Sequence, residues 1–231
     1  MFAWQAELIP GVRGAFTSTE AGNLAFHVGD DAEAVRVNRS ALEERLGTGP
    51  VQYMSQVHGK DVTVVGAVSQ GADAPVADGL VSRGLPLAVM VADCVPVLLA
   101  GDGDGAPVLA AVHAGRPGLA AGVVPAALET MRRLGARDIK AWLGPSVCGR
   151  CYEVPSALRD EVADVVPATF AETSWGTPAL DLPAGVSSQL AAEGVPVLYR
   201  GECTMENDNL YSHRRAPGEG RLAGLIWWEN A

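Results

Sequence analysis

The chain contains four histidines and four cysteines, and three of these eight sit at the edge of or inside apolar, strand-like runs. His58 follows Met54-Ser55-Gln56-Val57, Cys94 follows Met90-Val91-Ala92-Asp93, and His113 follows Ala110-Ala111-Val112. A polar group in such a run needs a partner, because burying it unpaired costs about 1–3 kcal/mol. Two imidazoles and a thiolate that converge would suit Zn²⁺ and leave the fourth position for water or substrate, as in a catalytic rather than a structural centre. The softer Cu(I) is the alternative metal. The residues are 36 and 19 positions apart and match no short metal motif, so a core cysteine with two hydrogen-bonded histidines is the competing reading.

Cys94 and His113 belong to two runs, Leu87–Leu99 and Val108–Val112, separated by the turn signal Gly101-Asp102-Gly103-Asp104-Gly105. A turn centred between Gly103 and Asp104 places Cys94 directly opposite His113, with Cβ atoms about 4.5–5.5 Å apart. A slip of one residue would spoil that pairing. Leu87–Leu99 is apolar on both faces and reads as one central buried strand, with a bulge or break at Pro96. Val51–Val57 and Val62–Val65 read as strands around a His58-Gly59-Lys60-Asp61 turn, and Ile139–Leu143, Val195–Tyr199 and Leu222–Trp227 complete the set.

Four helices are expected between them. The first has Asp30 as N-cap and Glu33 three positions on, runs to Leu46 and stops at Gly47. The second spans Leu119–Leu134 and is kinked or split at Pro125. The third runs from Ser156 to about Val166, and the fourth follows Asp181 and ends at Gly194. The fold class is α+β (mixed α/β): a single domain over residues 1–231, with mixed β-sheets flanked by helices.

Composition narrows the partners. Twenty-seven acidic residues against 17 basic ones give a net charge of −10, which disfavours nucleic acid and anionic membrane surfaces. Only Lys60 and Lys140 are lysines, so any anion grip must come from arginine, which holds carboxylate and phosphate in a fixed geometry. The start of the chain lacks the basic and apolar regions of a signal peptide, and the expectation is a soluble cytoplasmic protein with reduced thiols. Cys148-Gly149-Arg150-Cys151 is a CxxC without a second CxxC, and it reads, like Cys203, as structural cysteine. Asp93 is assigned to hydrogen bonding that supports the site or the structure, His27 reads as a hydrogen-bonded loop histidine that could face the site, and His213, beside two arginines, is a weaker general-acid candidate.

Beyond these residues, the sequence resembles the laccase-domain family. That family is also described as multicopper polyphenol oxidases, as peptidoglycan editing factors and as zinc-dependent purine nucleoside phosphorylases. The blocks that carry the resemblance are Gln56-Val57-His58-Gly59, Asp78-Gly79-Leu80-Val81, Ala92-Asp93-Cys94-Val95-Pro96 and Ala111-Val112-His113-Ala114-Gly115. They continue through Leu143-Gly144-Pro145-Ser146, Cys151-Tyr152-Glu153-Val154, Cys203-Thr204, Tyr211-Ser212-His213-Arg214-Arg215 and Gly220–Trp227.

The resemblance implies that His58, Cys94 and His113 ligate a catalytic zinc, with copper as the alternative. It implies phosphorolysis of adenosine, inosine and methylthioadenosine, with adenosine deamination as a side activity. The substrates are a purine nucleoside and phosphate. Arg214 and Arg215, with Asn23 and Gln56, are assigned to holding them, and no side chain is given a catalytic role beyond the metal-bound water. Editing of peptidoglycan precursors, phenol oxidation at copper and a non-catalytic metal-binding role are the other readings. Two family segments differ here. Phe16–Leu24 lacks the usual arginine and Gly-Gly-Val-Ser, and His113-Ala114-Gly115-Arg116-Pro117-Gly118 has Arg116 at a tryptophan position and Pro117 at an arginine position.

Overall fold

The computed structural model describes residues 1–69 and 71–229. In chain order the elements are β1 Phe2–Ile9, β2 Val12–Thr17, α1 Ala32–Leu46, β3 Val62–Val64, β4 Gly79–Arg83, β5 Leu87–Val91, β6 Val95–Asp102 and β7 Val108–Ala114. Then follow α2 Arg116–Ala121, α3 Val123–Arg133, β8 Arg137–Leu143, α4 Ser156–Val165, β9 Phe170–Glu172, β10 Pro178–Leu180, α5 Leu182–Ala192, β11 Val197–Arg200 and β12 Leu222–Trp228. The class is the expected mixed α+β arrangement.

Two sheets stack face to face. A mixed six-stranded sheet has the order β11-β8-β6-β7-β4-β3, with parallel pairs at β11–β8 and β3–β4. A four-stranded antiparallel sheet has the order β1-β2-β12-β5. Strand alternation sorts the apolar residues into layers. Val108, Ala110, Val112 and Ala114 of β7 pack with Val123, Leu128 and Met131 of α3 and Val186 and Leu190 of α5. Leu109 and Ala111 of the same strand face Leu87, Val89 and Ile226 of the other sheet. The far side of the four-stranded sheet, at Ala88, Leu225 and Trp227, is covered by Leu42 of α1 with Leu24 and Tyr53. The order is therefore helices, sheet, sheet, helix. Among the described residues no helix is long and apolar enough to cross a membrane.

Several expectations from sequence are corrected. Leu87–Leu99 is not one strand. β5 and β6 lie in different sheets, and the chain crosses between them at Ala92-Asp93-Cys94, where Asp93 has φ +83°. Both strands are buried on both faces, so the hydropathy run shows no gap. The breaker is Asp93 rather than Pro96. β6 pairs with β7 without a bulge from Val95 to Gly101, and Pro96 sits near its start.

Val51–Val57 makes only isolated bridges, Gln52 to Leu87 and Ser55 to Val76, although Val51, Tyr53 and Met54 are buried like strand residues. The Leu119–Leu134 helix breaks at Gly122, which has φ +89°, not at Pro125. Pro125 falls in the first turn of α3, where a missing N–H leaves no helical bond unmade. The N-cap of α1 is Asp31, one residue after the expected Asp30, and its carboxylate accepts the Glu33 N–H. Strands β1, β2, β4, β9 and β10 were not anticipated.

Candidate metal centre and its cavity

Cys94, His113 and Asp78 are brought together because β6, β7 and β4 are neighbours in the six-stranded sheet. Cys94 immediately precedes β6, His113 is the penultimate residue of β7, and Asp78 immediately precedes β4. The pairing is antiparallel, so all three fall at one end of the sheet. The expected direct opposition of Cys94 and His113 is corrected: His113 faces Pro96. The turn is centred one residue later than expected, which moves the partner by two positions. A shift of two preserves the face, so Cys94 approaches His113 along the diagonal.

His58 arrives from the loop before β3 with φ 60°, a left-handed conformation uncommon for a side chain of this size. Asp78 explains how it is held. This fully buried carboxylate accepts the backbone N–H groups of Val57 (3.2 Å), His58 (3.0 Å) and Gly59 (2.6 Å). It also accepts from His113 Nδ1 at 2.8 Å. A carboxylate can only accept, so His113 carries its proton on Nδ1 and presents Nε2 as the ligand atom.

The three ligand atoms lie within 4.8 Å of one another, with Cys94 Sγ 3.9 Å from His58 Nε2 and the two imidazoles edge to face at 4.7 Å between centroids. Tetrahedral zinc bonds of about 2.3 Å to sulfur and 2.0–2.1 Å to nitrogen imply an S···N separation of about 3.5 Å. The Cys94–His58 pair therefore fits a zinc ion with adjustment of a few tenths of an ångström, and His113 completes a donor set of the right chemistry within 4.8 Å. Gly115 leaves that space open: a Cβ there would lie 2.8 Å from His58 Cδ2 and 3.2 Å from Cys94 Sγ.

The electrostatics follow from these contacts. Burial pushes the Cys94 thiol up, but hydrogen bonding and charge from His113 and His58 outweigh it and bring the pKa down to about 6. Burial disfavours protonated His113, but Asp78 and Cys94 outweigh it and raise its pKa to about 9. The His27 pKa is pushed down by burial and then by Arg221 and Arg39.

His58, Cys94 and His113 line a cavity of about 570 Å³, within the range of small-ligand pockets. Three arginines, Arg116, Arg214 and Arg221, also line it. Asp93, the one carboxylate in the wall among the described residues, is already engaged: its oxygens accept Thr204 Oγ1 (2.6 Å) and the Arg214 N–H (2.7 Å). The pocket is thus locally basic in an acidic protein.

Not all the expected substrate residues reach it. Arg214 lines the cavity, donates to the Glu153 carbonyl (2.8 Å) and stacks on Tyr152. Gln56 lines it, but both ends of its amide are bonded to the Met90 backbone. Arg215 is outside the lining, and its guanidinium donates to the carbonyls of Thr204, Asn207 and Leu210. Asn23 is also outside and buried, bonded to the backbone of Ala25 and Arg221. Sequence reasoning gave no site role to Asp78, Tyr152 or Arg221 and did not place Arg116 in the pocket. For Asp78 the signal was present: a lone carboxylate directly before the apolar run Gly79-Leu80-Val81.

The fold and site together define a class. Residues 11–229 match the family model described as multi-copper polyphenol oxidoreductase laccase, and the chain belongs to that family. It is 53% identical over 213 residues to purine nucleoside phosphorylase ORF3 of Streptomyces griseus, covering 89% of this chain and 86% of that one. It is 49% identical to purine nucleoside phosphorylase SCO2081 of Streptomyces coelicolor, covering 96% and 98%. Among solved structures it superposes on a Neisseria meningitidis protein, NMB0706, with TM-score 0.82, 32% identity and 98% coverage of both chains. YlmD of Geobacillus stearothermophilus gives TM-score 0.82 and 30% identity, over 94% of this chain and 92% of that one.

Proposed function

We propose that the protein is a zinc-dependent purine nucleoside phosphorylase acting on adenosine, inosine and methylthioadenosine. The observation that carries this reading is the placement of the His58, Cys94 and His113 set in one cavity wall with Arg116, Arg214 and Arg221 around it. Phenol oxidation has no use for three arginines, whereas phosphorolysis must hold a phosphate anion while positive charge develops on the ribose. The names of the Streptomyces relatives point the same way.

In the reaction, a phosphate oxygen bonds to C1′ of the ribose as the C1′–N9 bond breaks. The purine leaves with that electron pair and takes up a proton. Zinc, when bound, supplies a Lewis acid at the wall. Arg116, Arg214 and Arg221 bind and orient the phosphate. His213, which lines the cavity, is assigned to hand the proton to the leaving purine. Asp78 keeps His113 in the tautomer that ligates.

The test is incubation with inosine and phosphate. Zinc-dependent release of hypoxanthine with ribose 1-phosphate, lost in His113→Ala, is expected. A zinc-replete protein that releases no base overturns the reading. Conversion of adenosine to inosine without phosphate would demonstrate the deaminase side activity in the same pocket.

A further inference from the structure

We propose that Cys148, Cys151, Cys203 and Glu206 form a second metal site, a closed tetrahedral zinc centre that staples the 146–153 loop to the 202–214 loop. The CxxC alone supplies two donors. The fold supplies the others from more than 50 residues away, because β8 and β11 are parallel neighbours whose chains leave the sheet at the same end. Beyond the strands the two segments continue to pair: Ser146 bridges Cys203, the Ser146 N–H donates to the Glu202 carbonyl (3.2 Å), and the Thr204 N–H to the Ser146 carbonyl (3.1 Å).

The local backbone brings the two CxxC thiols together. The N–H groups of Cys151 and Tyr152 both donate to the Cys148 carbonyl at 3.0 Å, which curls the CxxC into a tight turn with both thiols on one side. The Cys148 N–H points at Cys203 Sγ (3.4 Å), a backbone contact that stabilises a thiolate ligand.

The four donor atoms lie within 4.8 Å of one another, and Cys151 Sγ is 3.6 Å from Glu206 Oε1. Tetrahedral zinc with bonds of about 2.3 Å to sulfur requires S···S separations of about 3.8 Å. Three thiolates and a carboxylate fill four positions, so this set leaves no place for substrate, unlike the three-ligand set in the cavity. Arg150, 3.4 Å from both Glu206 oxygens, offsets part of the excess negative charge of such a centre.

The staple has a consequence for the cavity, because the two joined loops carry part of its wall: Val147 and Tyr152 on one, His213 and Arg214 on the other. Asp93 ties the same loops from the other side. Its carbonyl accepts the Val147 N–H, and its carboxylate holds Thr204 and Arg214. This inference stands independently of the phosphorylase reading.

The experiment removes the cavity site first. Cys94→Ala protein is prepared under reducing conditions, dialysed against zinc and then metal-free buffer, and its zinc per chain is measured. One equivalent should remain, and Cys94→Ala/Cys203→Ser should lose it. Because that double variant can fail for lack of folding, Cys94→Ala protein is also titrated with Co²⁺. Strong thiolate-to-cobalt charge-transfer bands are expected, and alkylating the thiols beforehand should abolish them. Absence of zinc and of those bands in Cys94→Ala overturns the proposal, as does zinc that persists in a folded double variant.

Discussion

Asp78 accepts from His113 Nδ1 at 2.8 Å while taking the His58 backbone N–H at 3.0 Å, so one buried carboxylate orients two of the three candidate metal ligands at the cavity wall. Asp78→Asn keeps the shape but removes the charge and can donate where three N–H groups and Nδ1 need an acceptor. Loss of such a supporting group typically weakens metal affinity by about 10–100-fold. Competition with a chromophoric chelator should show that loss. Zinc affinity equal to wild type would mean that Asp78 does not orient the ligands.

The same contacts predict a pH signature in the metal-free protein. The Cys94 thiol is depressed to about 6, so its pairing contributes fully above the ordinary thiol pKa of 9.0 and fades as pH falls through about 6. His113 is raised to about 9, so its pairing contributes fully below the ordinary 6.5 and fades as pH rises through about 9. Asp78 first and Cys94 second raise His113, so the Cys94 thiolate faces an imidazolium only between those limits. The Tm difference between zinc-free wild type and zinc-free Cys94→Ala should therefore peak between pH 6 and 9 and shrink on either side. A difference that stays constant from about pH 5 to 10 would contradict the pairing.

Much of this arrangement was legible from sequence, and the residues that escaped did so for physical reasons. Helix ends were found where side chains or glycines mark them, as at Gly47 and Asp181. β5 and β6 merged into one run because stacking two sheets buries both faces of both strands, and hydropathy cannot distinguish a strand that continues from a chain that changes sheet. Cys94 and His113 stayed on a common face despite the misplaced turn, since a shift of two residues leaves parity unchanged. The arginines were the hardest to place. Arg214 and Arg215 are adjacent in sequence but have different surroundings: Arg214 lies in the cavity wall, and Arg215 is bonded to three carbonyls outside it.

Gly115 tests how tightly the centre is packed. Its φ of −75° is ordinary, so an alanine is not strained by the backbone. The added methyl would instead lie 2.8 Å from His58 Cδ2, and the His58 backbone is held in place by Asp78, so the imidazole must turn away. Gly115→Ala should keep its fold, judged by circular dichroism, while losing zinc affinity and cysteine-to-cobalt absorbance at the cavity site. Full affinity would show that the His58 position is not fixed by this contact.

The neighbouring arginines should separate binding from stability. Losing a charge-assisted hydrogen bond to phosphate costs about 1.5–3 kcal/mol, or roughly 10–150-fold. Arg214→Met should therefore raise the KM for phosphate or lower kcat/KM by that order, with zinc content unchanged. Arg215→Met should leave the KM for phosphate near wild type and lower Tm instead, because it strips the donor from the carbonyls of Thr204, Asn207 and Leu210. Steady-state kinetics with varied phosphate, read beside thermal melts of both variants, distinguish the outcomes. Phosphate KM rising in Arg215→Met with Tm unchanged would reverse the assignment of the two residues.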